Sequence, residues 1–198
     1  MLAAVLISIP IAFVPFTTPA SPPECQLEVL TPLAMEERAI VEFNASVDAY
    51  VALHRRLART LPPFEMLDEE DTFVADELRR ALIAARPGAR PGGFFTPRVA
   101  EAFRHRIDAV LAYLGSAGFS PWHEALLPTP ATVNEPLTVV PDAIAWAPLF
   151  EGLPTLPREL AYVVVAGDLA LVDVRTHLVL DVLVDVVPAW PLADVIYR

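Results

Sequence analysis

The stretch AYVVVAGDLALVDVRTHLVLDVLVDVV, residues 161–187, limits the fold more than any other part of the chain. It is rich in Val and Leu, and its pattern repeats every two residues, which reads as β-strand rather than helix. Gly167-Asp168 suits a type II′ two-residue turn. That turn pairs Ala166 with Leu169, Val164 with Leu171 and Tyr162 with Asp173. Arg175-Thr176-His177 makes a looser second turn, with Val174 near Leu178 and Leu171 near Asp181. Three antiparallel strands follow. One face, with Val163, Val165, Ala170, Val172 and Val182, is apolar throughout and is predicted to lie on helices. The other mixes Tyr162, Leu169 and Leu171 with Asp173, Asp181 and Asp185, which suits a partly covered sheet.

The helices come earlier. In residues 34–61, Ile40, Phe43, Val47, Val51, Ala58 and Leu61 recur at three- and four-residue steps, and Pro62-Pro63 stops the pattern. A second helix is predicted over 72–86, behind the acids Asp68 to Asp71 and ahead of Pro87-Gly88. Thr96-Pro97 is an N-cap hydroxyl followed by proline at the first helical position, which starts a third helix over 97–114. Residues 116–160 are then punctuated by proline from Pro121 to Pro157. Short helices are expected there near 121–127 and 141–146, with Trp122, Trp146 and Phe150 as anchors.

Charge narrows the partners. The chain has 198 residues and a formal net charge of −11, and all its 14 basic residues are arginine. Nucleic acid and anionic membrane surfaces require clustered cations and are disfavoured. Residues 24–106 nearly balance their charges, whereas residues 107–198 hold 11 acids against three arginines. Residues 1–20 are apolar and uncharged, with Thr18-Pro19-Ala20 at the end. They read as an export signal peptide or a retained N-terminal anchor. Cys25 has no intramolecular partner.

Candidate chemistry is sparse. Asp173 and Asp181 fall on one sheet face, about 5.5–8 Å apart. They either share a divalent cation such as Ca²⁺ or Mg²⁺, helped by Tyr162 or His177, or they solubilise the sheet. His54 stands on the seam of the first helix. It is either a half-buried structural histidine or, with Arg55 or Glu135, part of a ligand or enzyme site beside the proline-rich connector. The arginines of the helical part either pair with the interspersed acids or converge as an anion site near Gly92-Gly93 and the helix start at Thr96. G-x-S-x-G, Walker and dinucleotide glycine patterns are absent from the sequence, so no cofactor is expected.

The segments VALHRRLARTLPP (51–63), ARPGARPGGFFTPRVAEAFRHRI (85–107), VNEP (133–136) and LPTLPRELAYVVVAGDLALVDVRTHLVLDVL (153–183) resemble a family of small, uncharacterised exported bacterial proteins from GC-rich genomes. The resemblance implies export and supplies no activity. The terminal hairpins are also similar to the C-terminal module of periplasmic nickel/cobalt-homeostasis proteins. His177 stands where that module would have a turn glycine, and the His-rich front of that family is missing, so no metal role is implied.

Together these features predict an α+β fold. The expected order is a leader (1–20), an extended segment (21–33), a three-helix layer (34–115), a proline-rich connector (116–160), a three-stranded β-meander packed on the helices (161–187) and a tail (188–198). The function they favour is a non-enzymatic interaction protein of the periplasm or envelope, with a protein partner held by Trp122, Trp146 and Phe150. A small-ligand or enzyme site at His54, Arg55 and Glu135, and a cation site at Asp173 and Asp181, are the alternatives.

Overall fold

A computed structural model describes residues 31–61, 69–116, 130–137 and 147–187. The leader, Cys25, Trp122, Trp146, the short helices expected at 121–127 and 141–146, and the tail lie outside these residues. Four helices and one sheet make up the rest: α1 (Pro32–Ala58), α2 (Glu69–Ala85), α3 (Pro97–Ser116), the single turn α4 (Ala147–Phe150), and strands β1 (Leu160–Val165), β2 (Asp168–Asp173) and β3 (Val179–Leu183). The sheet is antiparallel in the order β1-β2-β3, and it packs on the helices to give an α+β fold.

α1 starts at Thr31, whose side chain accepts from the Ala34 N–H at 3.3 Å. Its buried stripe of Ala39, Phe43, Val47, Tyr50, Val51 and His54 keeps a 3.6-residue period. α1 packs on both α2 and α3. At the centre, Phe43 meets Phe103 at 4.8 Å between ring centroids, and Phe103 meets Tyr162 of β1 at 6.1 Å, edge to face. Aromatic pairs in this geometry add about 0.5–1.5 kcal/mol beyond the burial itself.

The sheet differs from expectation in two respects. The first turn is Ala166-Gly167, one residue early, so that Val165 faces Asp168 and Tyr162 faces Leu171. Both turn residues have positive φ (53° and 92°), which is the requirement of a type I′ turn, whose twist matches that of the strands. Glycine is also needed for space, because a Cβ at Gly167 would stand 3.0 Å from the Val187 carbonyl oxygen.

The second difference is the buried face. Tyr162, Val164, Leu169 and Leu171, the face that carries Asp173, pack on the helices. The valine-rich side, with Val163, Val165, Ala170 and Val172, forms a second core with Leu137. Segment 130–137 runs beside β3 there, where the Asn134 and Leu137 N–H groups donate to the Val179 and His177 carbonyls at 2.9 and 2.8 Å. Larger side chains favour the helix side, and the carboxylates are tolerated there because each is hydrogen-bonded. A β-bulge between Leu171 and Val172 changes the register with β3, and Leu180 and Asp181 both turn toward the helices.

Candidate functional site

Asp181 is fully buried and serves the fold. Its Oδ2 accepts from the Phe94 and Phe95 N–H groups, both at 2.7 Å, and its Oδ1 from Gly92 and Val182 N–H, both at 2.9 Å. The N–H groups at the Gly92-Gly93 turn, where an anion site is one of the sequence's two readings, are thus taken by this chain's own carboxylate. Arg86 lies over the Tyr50 and Phe94 rings and donates to the Leu180 carbonyl at 3.2 Å.

Asp173, also fully buried, organises a different place. Its Oδ1 accepts from the Arg175 and Thr176 N–H groups and the Thr176 hydroxyl, at 3.1, 2.8 and 2.9 Å. This Asx-type turn fixes residues 174–177, and His177 closes it at φ 55°. Asp173 Oδ2 accepts from the Tyr50 hydroxyl at 2.7 Å. One helical turn on, His54 Nε2 stands 3.4 Å from the same oxygen, within ion-pair reach but outside hydrogen-bond geometry. Both ring nitrogens of His54 are buried without a hydrogen-bond partner.

His54 forms part of the wall of an open depression of about 980 Å³. The end of α1 contributes Arg55, Ala58 and Arg59; the turn before β1 contributes Arg158 and Glu159; the β2–β3 turn contributes Val174, Arg175 and His177. The Val174 N–H donates to the Glu159 carbonyl at 2.9 Å, which holds the two turns side by side. Glu159 Oε1 accepts from Arg55 Nε at 2.7 Å, and Arg158 Nε stands 3.8 Å away. The Arg55 hydrogen bond holds the Glu159 carboxyl below its ordinary range, against the opposing effect of burial. Glu159 Oε2 is buried with no partner. Four arginines therefore line one depression, two of them within 4 Å of its one carboxylate, on a chain whose net charge is −11.

The sequence-predicted residues separate. His54 and Arg55 both line this depression. Glu135 is exposed beside β3, where its carbonyl accepts from the Val179 N–H at 3.0 Å. Phe150 is half-buried, its ring 5.8 Å from that of Tyr162. Asp173 and Asp181 spend their oxygens on separate sets of protein donors, and no cluster of three His, Cys, Asp or Glu able to hold a metal occurs among the described residues. Elsewhere the arginines pair as expected of a charged helical surface: Arg106 with Glu36 at 2.6 Å, Arg80 with Glu77 at 2.6 Å, and Arg79 with Asp76.

Tyr50, Arg59, Arg158, Glu159 and Arg175 were not foreseen as parts of this site. A signal existed for three of them. Arg59 follows Arg55 by one helical turn, and residues 158 and 175 are two of the three arginines in the acidic half of the chain. Among the described residues, no helix is long and apolar enough to cross a membrane. No family model, curated protein or solved structure matches this chain.

Proposed function

We propose that this is an exported protein that binds a small organic anion in the depression beside His54. The observation that carries the reading is where the arginines fall. After residue 107 the chain has three, and two of them, Arg158 and Arg175, meet Arg55 and Arg59 around one opening. Guanidinium groups suit carboxylate and phosphate because their planar forks match those anions. Export rests on the apolar leader, residues 1–20.

The interaction-protein alternative depends on Trp122 and Trp146, outside the described residues, and on Phe150, whose ring is engaged with Tyr162. The depression has the more specific support. Calorimetric titration of the full chain with succinate, 4-methylpentanoate and inorganic phosphate tests it. Binding that weakens with salt and is lost in the Arg59→Ala/Arg158→Ala double variant is the expected result. Equal heat in the double variant, or no heat with any ligand carrying a carboxylate or phosphate, sinks the reading.

A further inference from the structure

Glu159 does not fit a site built for an anion alone. A carboxylate among guanidiniums lowers the attraction for any incoming anion, and one that served only to neutralise them would spend both oxygens on them. Glu159 spends one. Its Oε1 takes the Arg55 Nε–H, while Oε2 is left without a donor although the side chain is only 8% exposed. A buried acceptor without a donor is costly, and it marks a place where a donor is missing. The second cation beside it is poorly placed to supply one, since Arg158 stands 3.8 Å from the other oxygen with its side chain 93% exposed.

Resting on the anion-binding reading, we propose that the ligand is a zwitterion of the α-amino-acid type with an apolar side chain. Its carboxylate meets the exposed guanidiniums of Arg59 and Arg158. Its ammonium donates to Glu159 Oε2, the oxygen that lacks a donor, through a local shift of the depression's wall. Ala58 and Val174, the apolar members of the wall, receive the side chain. The site is dipolar, with Glu159 held in place through Arg55 and through its carbonyl bond to Val174. His54, with its Nε2 3.4 Å from Asp173 Oδ2, lines the wall beside it.

The test is calorimetric titration of the full chain with L-leucine and its two half-molecules, 4-methylpentanoate and 3-methylbutylamine. L-Leucine should bind at least roughly tenfold tighter than either, because a site with a built acceptor discriminates against ligands lacking the matching donor. Glu159→Gln should erase the preference over 4-methylpentanoate and leave carboxylate binding intact or stronger; its circular-dichroism melt verifies folding, and the wild-type comparison needs no variant. If 4-methylpentanoate binds as tightly as L-leucine, the zwitterion proposal falls and the anion site stands. If none of the three binds, the zwitterion proposal falls and the anion site stands only where succinate or phosphate gives heat; if the amine binds as tightly as L-leucine, both fall.

Discussion

The Tyr50 hydroxyl donates to Asp173 Oδ2 at 2.7 Å, joining α1 to the end of β2 across 123 residues of sequence. Asp173 in turn fixes the 174–177 turn that forms one side of the arginine-lined depression. A single buried carboxylate thus links the helical layer, the sheet and the candidate site.

Tyr50→Phe removes the donor and leaves the carboxylate buried. A hydrogen bond to a charged group contributes about 1.5–3 kcal/mol, and a loss in that range is expected from urea unfolding. The pH dependence also changes. Burial, and then the Asp173 charge, raise the Tyr50 hydroxyl above its ordinary value of 10.0. The stabilisation from this shift is complete below the unfolded value and is lost as pH rises above it. The variant should therefore lose part of the alkaline limb of the stability profile, while buried Tyr162, raised likewise, keeps the remainder.

Asp181→Ala leaves the Gly92, Phe94 and Phe95 N–H groups without their acceptor. With a cost of about 1–3 kcal/mol for each buried unsatisfied group, and the Phe94 and Phe95 N–H groups buried, a loss of at least about 2 kcal/mol is expected. Amide exchange in the variant should accelerate first at these three positions. Unchanged exchange there would show that Asp181 does not hold the turn.

Acid should weaken the fold through Glu36 and Glu159. Hydrogen bonds from Arg106 and Arg55 respectively hold both carboxyls below the ordinary 4.5. The stability they add is present above that value and is lost as pH falls through the lowered ones. Glu36→Gln and Glu159→Gln should each flatten the acid limb, followed by melting temperature from pH 6 downward.

The type I′ turn predicts substitutions of opposite sign. Gly167→Ala puts a Cβ at φ 92° and 3.0 Å from the Val187 carbonyl oxygen, so a loss above about 1 kcal/mol is expected. Ala166→Asn replaces a residue strained at φ 53° with one that accepts this conformation, for a gain of about 1 kcal/mol. Thermal melts of both variants decide the matter.

Ca²⁺ or Mg²⁺ should leave the melting temperature of the wild type unmoved, because four protein hydrogens already reach each of the Asp173 and Asp181 carboxylates. A rise with either ion would restore the cation reading.

Local pattern made α1, α3 and the three strands legible: the 3.6-residue stripe through Phe43 and Val47, the Thr96-Pro97 start, and the alternation from Leu160 to Leu183. The buried face of the sheet was not legible, because apolar alternation assigns carboxylates to solvent. Asp173 and Asp181 reverse that rule because, beside near donors such as Thr176 and Val182, they take donors 86 to 123 residues away, which no local window contains. The site was half visible for the same reason. His54 and Arg55 share a helix and could be singled out together, whereas Glu159 and Arg175 reach them only through the pairing of the 158–159 and 174–177 turns.

The distance between those carboxylates and their donors also orders events in time. Phe95 waits 86 residues for Asp181, and Tyr50 waits 123 for Asp173. A chain growing from its N-terminus exposes its helices long before the groups that complete their hydrogen bonding exist. Contacts of such separation close slowly and together. Maturation is accordingly a terminal event, and a polypeptide halted before residue 173 is left as an open substrate for proteases rather than as a smaller finished protein.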